Sequence, residues 1–458
     1  MADKQTFSMG EEFSDLGFNS TRLEKRFIKT METLAGQPEK SIWSCSENRA
    51  EAKAIYRLLG NDGLDREEIL RTHREATVKR MIESGKTILA VQDTTSLNYN
   101  TREKMEGIGY ISDKTLGVNI HSCLAVATDG LTLGLLDQTS YNREQAKDDS
   151  RTHDSKKTRV LDKKESCRWV QTFEKSTANL PKGVNVITVC DREGDMYELL
   201  DTIESNGHLF LIRVAQNRMT VDNRRILDAI CKKRCMGRAE ITIPRDSRKN
   251  VKERKGTLQI RYDCFDIKRP KILNKIKTLK DSIQVWVIHA KEENPPKGVE
   301  PIEWFLMTNE LVENVEAAYE RVQYYTHRWK IERFHFVLKT GCQVEKLQER
   351  SLNKTTLLVL MYSVISVLIL NMTYVARIHP NVSCTVFFEE DEWKVLYCAA
   401  NKTKEAPQKP YSIEDAVTYL GWLGGPKTAP SDGPPGVKTI WVGLDKLNTL
   451  LAYREWLV

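Results

Sequence analysis

Leu357 to Ala376 reads LLVLMYSVISVLILNMTYVA, an apolar run long enough to cross a bilayer as a helix. A segment of this kind has two environments open to it, lipid or the inside of a large domain. Ser363, Ser366, Asn371 and Thr373 interrupt the run, no second such segment partners it, and a charged stretch leads directly into it. These features predict a buried core helix. A helix that is apolar on every side needs a sizeable domain around it, and 458 residues are enough for that and for further domains.

The rest of the composition is that of a soluble globular protein, 40% hydrophobic and 29% charged. A net charge of +7 favours a polyanionic partner without specifying one. Of the ten cysteines, only Cys231 and Cys235 lie close together, and no second Cys or His pair stands at zinc spacing. Reduced thiols in a cytoplasm are expected. The start, MADKQTFSMGEEF, has acidic residues where a signal peptide needs an apolar run, so secretion is not expected.

The charged stretch upstream, YTHRWKIERFHFVLK from Tyr325, carries the strongest chemical signal. At roughly 100° per residue, Tyr325, Arg328, Glu332 and Lys339 share one helix face, while Tyr324, Ile331, Phe334 and Leu338 form a packing face. A carboxylate among Arg, Lys and a phenol suits a site that holds a metal and phosphates; taken alone, it also reads as a solvated charged face. Two further acids stand out. The strands KTILAVQD and VNVITVCD are apolar runs that end on Asp93 and Asp191, and a carboxylate at such an end sits at the sheet rim, where ligand sites form in α/β folds. Asp195 either caps the helix that follows at Met196 or belongs to the same site. Close carboxylates repel unless a cation lies between them. Three of them can hold two divalent ions for phosphodiester chemistry, and Mg²⁺ suits such hard oxygen ligands.

Residues 1 to about 82 read as three helices, the first with Arg22, Lys25, Arg26 and Lys29 along a basic strip. The strip is either a solvated face or a DNA-reading surface. Two strands joined at Asp129-Gly130 read as a hairpin. SCRWVQTFEKSTANL and MYELLDTIES read as helices and HLFLIRVA as a strand. Residues 216 to about 310 form a strand-rich insertion with two basic loops, Lys268 to Lys280 and the loop of Arg248, Lys249, Lys252, Arg254 and Lys255, suited to a DNA backbone. Beyond a polar linker near 401 to 410, SIEDAVTYLGWLGG and LDKLNTLLAYREWL read as helices, and KTAPSDGPPGVKT as loop. There is no internal repeat.

VQDTTSLNY, VCDREGDMY and YTHRWKIERFHFVLKTG resemble the three catalytic blocks of the insertion-sequence-four family of bacterial DDE transposases. The likeness extends through NRAEAKAIYRLL, NPPKG, LGWLGG and PPG over nearly the whole chain. It implies an α/β fold, a ribonuclease-H-like core (residues 83–377, insertion about 216–310) between an N-terminal helical DNA-binding domain (1–82) and a C-terminal helical dimerisation domain (378–458). Asp93, Asp191 and Glu332 match the family's metal-binding acids, holding two Mg²⁺ ions for which Mn²⁺ substitutes. Tyr325, Arg328 and Lys339 match its phosphate-gripping signature, Arg213 a phosphate-binding arginine, and Trp304 the aromatic that receives a flipped base.

The activity so implied is cut-and-paste transposition on double-stranded DNA. A homodimer in a synaptic complex binds terminal inverted repeats, nicks, forms and reopens a hairpin, and joins the ends to target DNA, in the bacterial cytoplasm at the nucleoid. The rival readings are a catalytically silent protein that occupies transposon ends and inhibits transposition, and a sequence-independent nuclease with the same core. Gly117, Val118 and Asn119 stand where the family's best-known enzyme has paired tryptophans, and the basic strip near Arg22 follows the family only loosely; both departures leave open which DNA end is recognised and leave the chemistry intact.

Overall fold

The computed structural model describes residues 8–85, 87–112, 114–143, 166–243, 254–426 and 433–453. It forms two compact units. One comprises Met1–Ser84, Thr94–Asp148 and Lys330–Val458, the other Gly85–Asp93 and Asp149–Trp329.

The first unit begins with helices α1 (Met9–Glu12), α2 (Thr21–Gly36), α3 (Ile42–Cys45), α4 (Arg49–Leu58) and α5 (Arg66–Ser84). Phe27, Met31 and Leu34 give α2 an apolar stripe at helical spacing and are fully buried. Asn48 starts α4 by accepting from the amides of Ala50 and Glu51. Strand β1 (Thr87–Asn98) belongs to the second unit as far as Asp93 and to the first beyond it. In the first unit its later half neighbours β3 (Leu116–Ala127), which also pairs with β2 (Gly109–Tyr110) and β4 (Thr132–Tyr141). The expected Asp129-Gly130 turn joins β3 to β4, with Asp129 accepting from Leu131 N–H at 2.9 Å.

β4 has an open edge, and α5 closes it. Arg66, Arg74 and Arg80 donate to the carbonyls of Gln138, Leu136 and Leu133, and Leu135 N–H donates to His73 Nε2 at 2.9 Å. An exposed strand edge invites pairing with other chains, and this row of side chains removes the invitation. With Nε2 accepting, His73 carries its proton on Nδ1, which lies 2.5 Å from Glu12 Oε1, and Arg80 donates to both Glu12 oxygens.

In the second unit α6 (Cys167–Thr177) precedes β5 (Asn185–Cys190), α7 (Tyr197–Ser205) and β6 (Leu209–Arg213). The insertion follows as α8 (Ile226–Cys231), β7 (Gly237–Ile243), β8 (Arg254–Lys268), β9 (Ser282–Glu293) and β10 (Glu303–Thr308), then α9 (Val315–Thr326). The strand order is β1-β5-β6-β10-β9-β8-β7, parallel across β1, β5 and β6 and antiparallel thereafter. Trp169, Phe173, Phe210, Phe265, Val285 and Met307 form one core between this sheet and α6 to α8. The short helix α8 was not expected from sequence.

The first unit resumes with α10 (Trp329–Phe336, its first residue in the second unit), a π-helical turn at Val337–Gly341, and α11 (Leu352–Ile378). α11 is the apolar helix, and its most hydrophobic window is wholly buried. The polar side chains that interrupt its apolar run bond to backbone, with only Asn371 Oδ1 among them left without a partner. Ser363, Ser366 and Thr373 bond to carbonyls four residues back, and Asn371 donates to Thr132 O at 2.6 Å. α12 (Glu390–Asn401), α13 (Ile413–Gly424) and α14 (Val437–Tyr453) pack around Trp393, Leu396, Leu420 and Ile440. α14 reaches α2, with Lys40 Nζ 2.8 Å from Asp445 Oδ1 and Asn448 donating to Gly36 O at 2.7 Å.

Several expectations need correction. β1 does not end at Asp93 but continues to Asn98. The Tyr325–Lys339 stretch is not one helix. α9 ends at Thr326, where His327 and Arg328 bond to carbonyls three residues back, tightening the turn; at the far end Cys342 N–H reaches back five residues to Val337 O. Those changes of winding rotate the faces, so Tyr325 is fully buried and Tyr324 only partly. α12 was missed, and α14 starts seven residues before the expected Leu444, at Val437 inside the stretch read as loop.

Candidate active site

Parallel pairing of β1 with β5 sets Val91 opposite Val189. Two residues on, Asp93 lies within β1 and Asp191 directly follows β5, so continued alternation of side chains would put both on one face. Asp191 stays extended and accepts from Glu193 N–H at 2.8 Å, capping the short turn Arg192–Gly194. Two carboxylates so placed repel unless a cation lies between them, and as hard oxygen donors they fit half of a divalent-ion site. Among the described residues, no group of three His, Cys, Asp or Glu side chains stands ready to hold a metal.

Around these acids the second unit gathers two arginines and two aromatic rings. Arg328 Nη1 lies 3.9 Å from Asp93 Oδ2. The Arg328 guanidinium is 5.9 Å from the Tyr325 ring, and Trp304 meets that ring edge-on at 5.3 Å between centroids. Arg213 pairs with Leu306 across β6 and β10 and donates to Glu303 O at 3.2 Å, next to Trp304. Burial pushes the Tyr325 phenol above its ordinary value, opposed by Arg328 and Arg213. Burial pushes Arg213 down, and Arg192 and Arg328 add to this while Tyr325 opposes it. Tyr325 Oη and Arg213 Nε are buried without a hydrogen-bond partner of ordinary geometry. Tyr325 also interacts with both arginines, so the cluster sets two cations around one buried phenol, a combination that suits an anionic ligand.

Glu332 and Lys339 belong to the first unit. Glu332 is exposed on α10. Lys339 Nζ donates to Ser96 O at 2.9 Å and lies 3.6 Å from Glu345.

Of the other sequence-derived contacts, Arg22 and Arg26 line an open groove of about 1070 Å³ with Lys25, Lys29, Arg57 and Asn61. Arg57 and Asn61 were overlooked, although Arg57 closes α4 in the same helical region. Arg254 is engaged with the buried Glu292 and is less available than expected, whereas the Lys255 side chain is 79% exposed. Arg248, Lys249 and Lys252 lie outside the described residues. Asp195 does not cap α7, whose N-cap residue Met196 makes no side-chain bond; it is buried in a pair with Arg218.

Residues 8–64 match the family model for transposase DNA-binding, residues 151–369 that for the transposase DDE domain, and residues 364–454 that for the transposase Tn5 dimerisation domain. Among solved structures, a piggyBac transposase synaptic complex with hairpin DNA is similar over 96% of this chain and 73% of that chain, at 11% identity and a TM-score of 0.36, too distant to inform the chemistry. Three transposase modules in this order, over a mixed α/β sheet flanked by helices, leave one assignment: the chain belongs to the Tn5-like DDE transposases, metal-dependent enzymes that bind DNA, dimerise, cleave strands and join them.

Proposed function

We propose that this enzyme performs cut-and-paste transposition through a hairpin intermediate, acting at the nucleoid as a synaptic homodimer on terminal inverted repeats. The observation that carries the reading is the pair Asp93 and Asp191, each two residues beyond the last paired positions Val91 and Val189, beside the cluster of Arg213, Trp304, Tyr325 and Arg328. Asp93, Asp191 and Glu332 would hold two Mg²⁺ ions, whose chemistry when bound would be to activate a water or a 3′ hydroxyl and stabilise the leaving oxygen. Arg328, Tyr325 and Lys339 grip phosphates beside the scissile bond. Trp304 stacks on the base that leaves the helix as the hairpin closes, a contact worth about 1–3 kcal/mol, and Arg213 holds the neighbouring phosphate. The groove of Arg22 and Arg26 takes the end DNA, with Lys255 along its backbone.

The test uses labelled DNA from the gene's flanks, wild-type protein and Glu332→Gln, with Mg²⁺ or Mn²⁺, on a denaturing gel. Nicked and then hairpin-sized products from the wild type alone are expected. DNA bound but uncut by both proteins would support the silent end-binding reading, and equal cutting of DNA without the repeats a general nuclease.

A further inference from the structure

Asp195 and Arg218 form a buried clamp that the chemistry above leaves without a role. Asp195 Oδ2 accepts from Ala215 and Gln216 N–H at 2.7 and 2.9 Å. Its Oδ1 accepts from Arg218 Nε at 3.1 Å and Nη2 at 2.5 Å, and its carbonyl accepts from Arg218 Nη2 at 2.8 Å. Both side chains are almost fully buried, 0% and 3% exposed. One end of the clamp is the turn that begins at Asp191. At Gly194 in that turn an added β-carbon would lie 2.4 Å from Cys190 Cβ, so the chain folds back tightly. The other end is the segment leaving β6 directly after Arg213.

Both ends have other holds, since β6 pairs Arg213 with Leu306 of β10; what the clamp alone fixes is the exit segment beyond Val214. Asp191 is also fixed by the pairing of β5 with β1 and β6 and by its own bond to Glu193. After Val214, which donates to Phe305 O, the next two amides of the exit segment have Asp195 as their acceptor. We propose that Asp195 and Arg218 are positioning residues that hold the segment leaving Arg213 in register with the Asp191 turn, and that they serve hairpin closure, where a base must be captured, more than the first nick. This rests on the hairpin reading above.

The test compares the wild type with Arg218→Gln and Asp195→Asn on end DNA in Mg²⁺, timing nick and hairpin separately. A second readout is the fluorescence of 2-aminopurine placed at each of the last three positions of the hairpin-forming strand, with Ca²⁺ to hold the complex uncut. The expected result is nicking within threefold of the wild type, hairpin closure slowed tenfold or more, and loss of the unstacking signal. Arg218→Lys, which keeps the charge but loses the fork, should fall between. Equal loss of both steps, or unchanged hairpin closure, would overturn the proposal, as would failure of both neutral variants to fold, which would leave the pair a fold clamp only. A wild type that neither nicks nor closes a hairpin would instead refute the reading on which it rests.

Discussion

Glu12 shows how one residue can anchor a whole helix. It is buried beside His73 and Arg80. Burial pushes its carboxyl up, but the Arg80 guanidinium and the hydrogen bonds of both partners more than offset this and hold it at about 2, against an ordinary 4.5. A carboxylate with a depressed folded-state value stabilises above its unfolded value and loses that contribution as pH falls from about 4.5 toward 2. The contribution at neutral pH is on the order of 3 kcal/mol. Glu12→Gln should therefore lower the urea midpoint at pH 7, and the gap to the wild type should narrow below about pH 4.5. A gap that stays constant across the acid range would show that the carboxylate is not the anchor.

At the scale of elements, Gly341 makes the sharpest claim. A β-carbon there would fall 1.4 Å from the Trp441 ring, so α14 packs against bare backbone at the π-helical turn that carries Lys339. Gly341→Ala should cost about 1–3 kcal/mol through overpacking, read as a lower melting temperature, and Trp441→Leu in the same chain should recover part of it. A Gly341→Ala protein that melts like the wild type would place the two elements apart. In the core, Leu360→Ala on α11 should cost about 2–5 kcal/mol, measured by denaturant unfolding. α11 was legible in the sequence because an apolar run of that length has few homes, and so were β1 and β5 because each delivers an acid. The break between α9 and α10 was not, since Tyr325 to Lys339 keeps helical spacing throughout and two tightened hydrogen bonds undo it. α12 was missed because Trp393, Leu396 and Ala400 are diluted by Cys and Tyr. Asp195 and Arg218 lie on either side of α7 and β6, and single-sequence patterns do not report such partners.

For the molecule as a whole, the order of modules was readable and the distribution of charge was not. Arg22, Lys25 and Arg26 line an open groove, while Lys29 beside them lies 3.8 Å from Glu51 and Arg254 is committed to Glu292. Both kinds look alike in a sequence, because whether a cation is free depends on acids that folding brings near. Lys40 is the instructive case. It lies within the DNA-binding match, and its ammonium is already paired with Asp445 of α14. A DNA phosphate reaching Lys40 would displace a carboxylate that stays nearby and offsets the cation, which reduces the net release of the DNA's condensed counterions. Asp445→Asn should then tighten end binding at low salt and steepen the plot of log K against log salt by about 0.9, one counterion's worth. An unchanged slope would put Lys40 outside the DNA footprint. A steeper slope would mean that this one ion pair lets the helix near the C-terminal end of the chain set how ionic strength governs the grip of the N-terminal module on DNA.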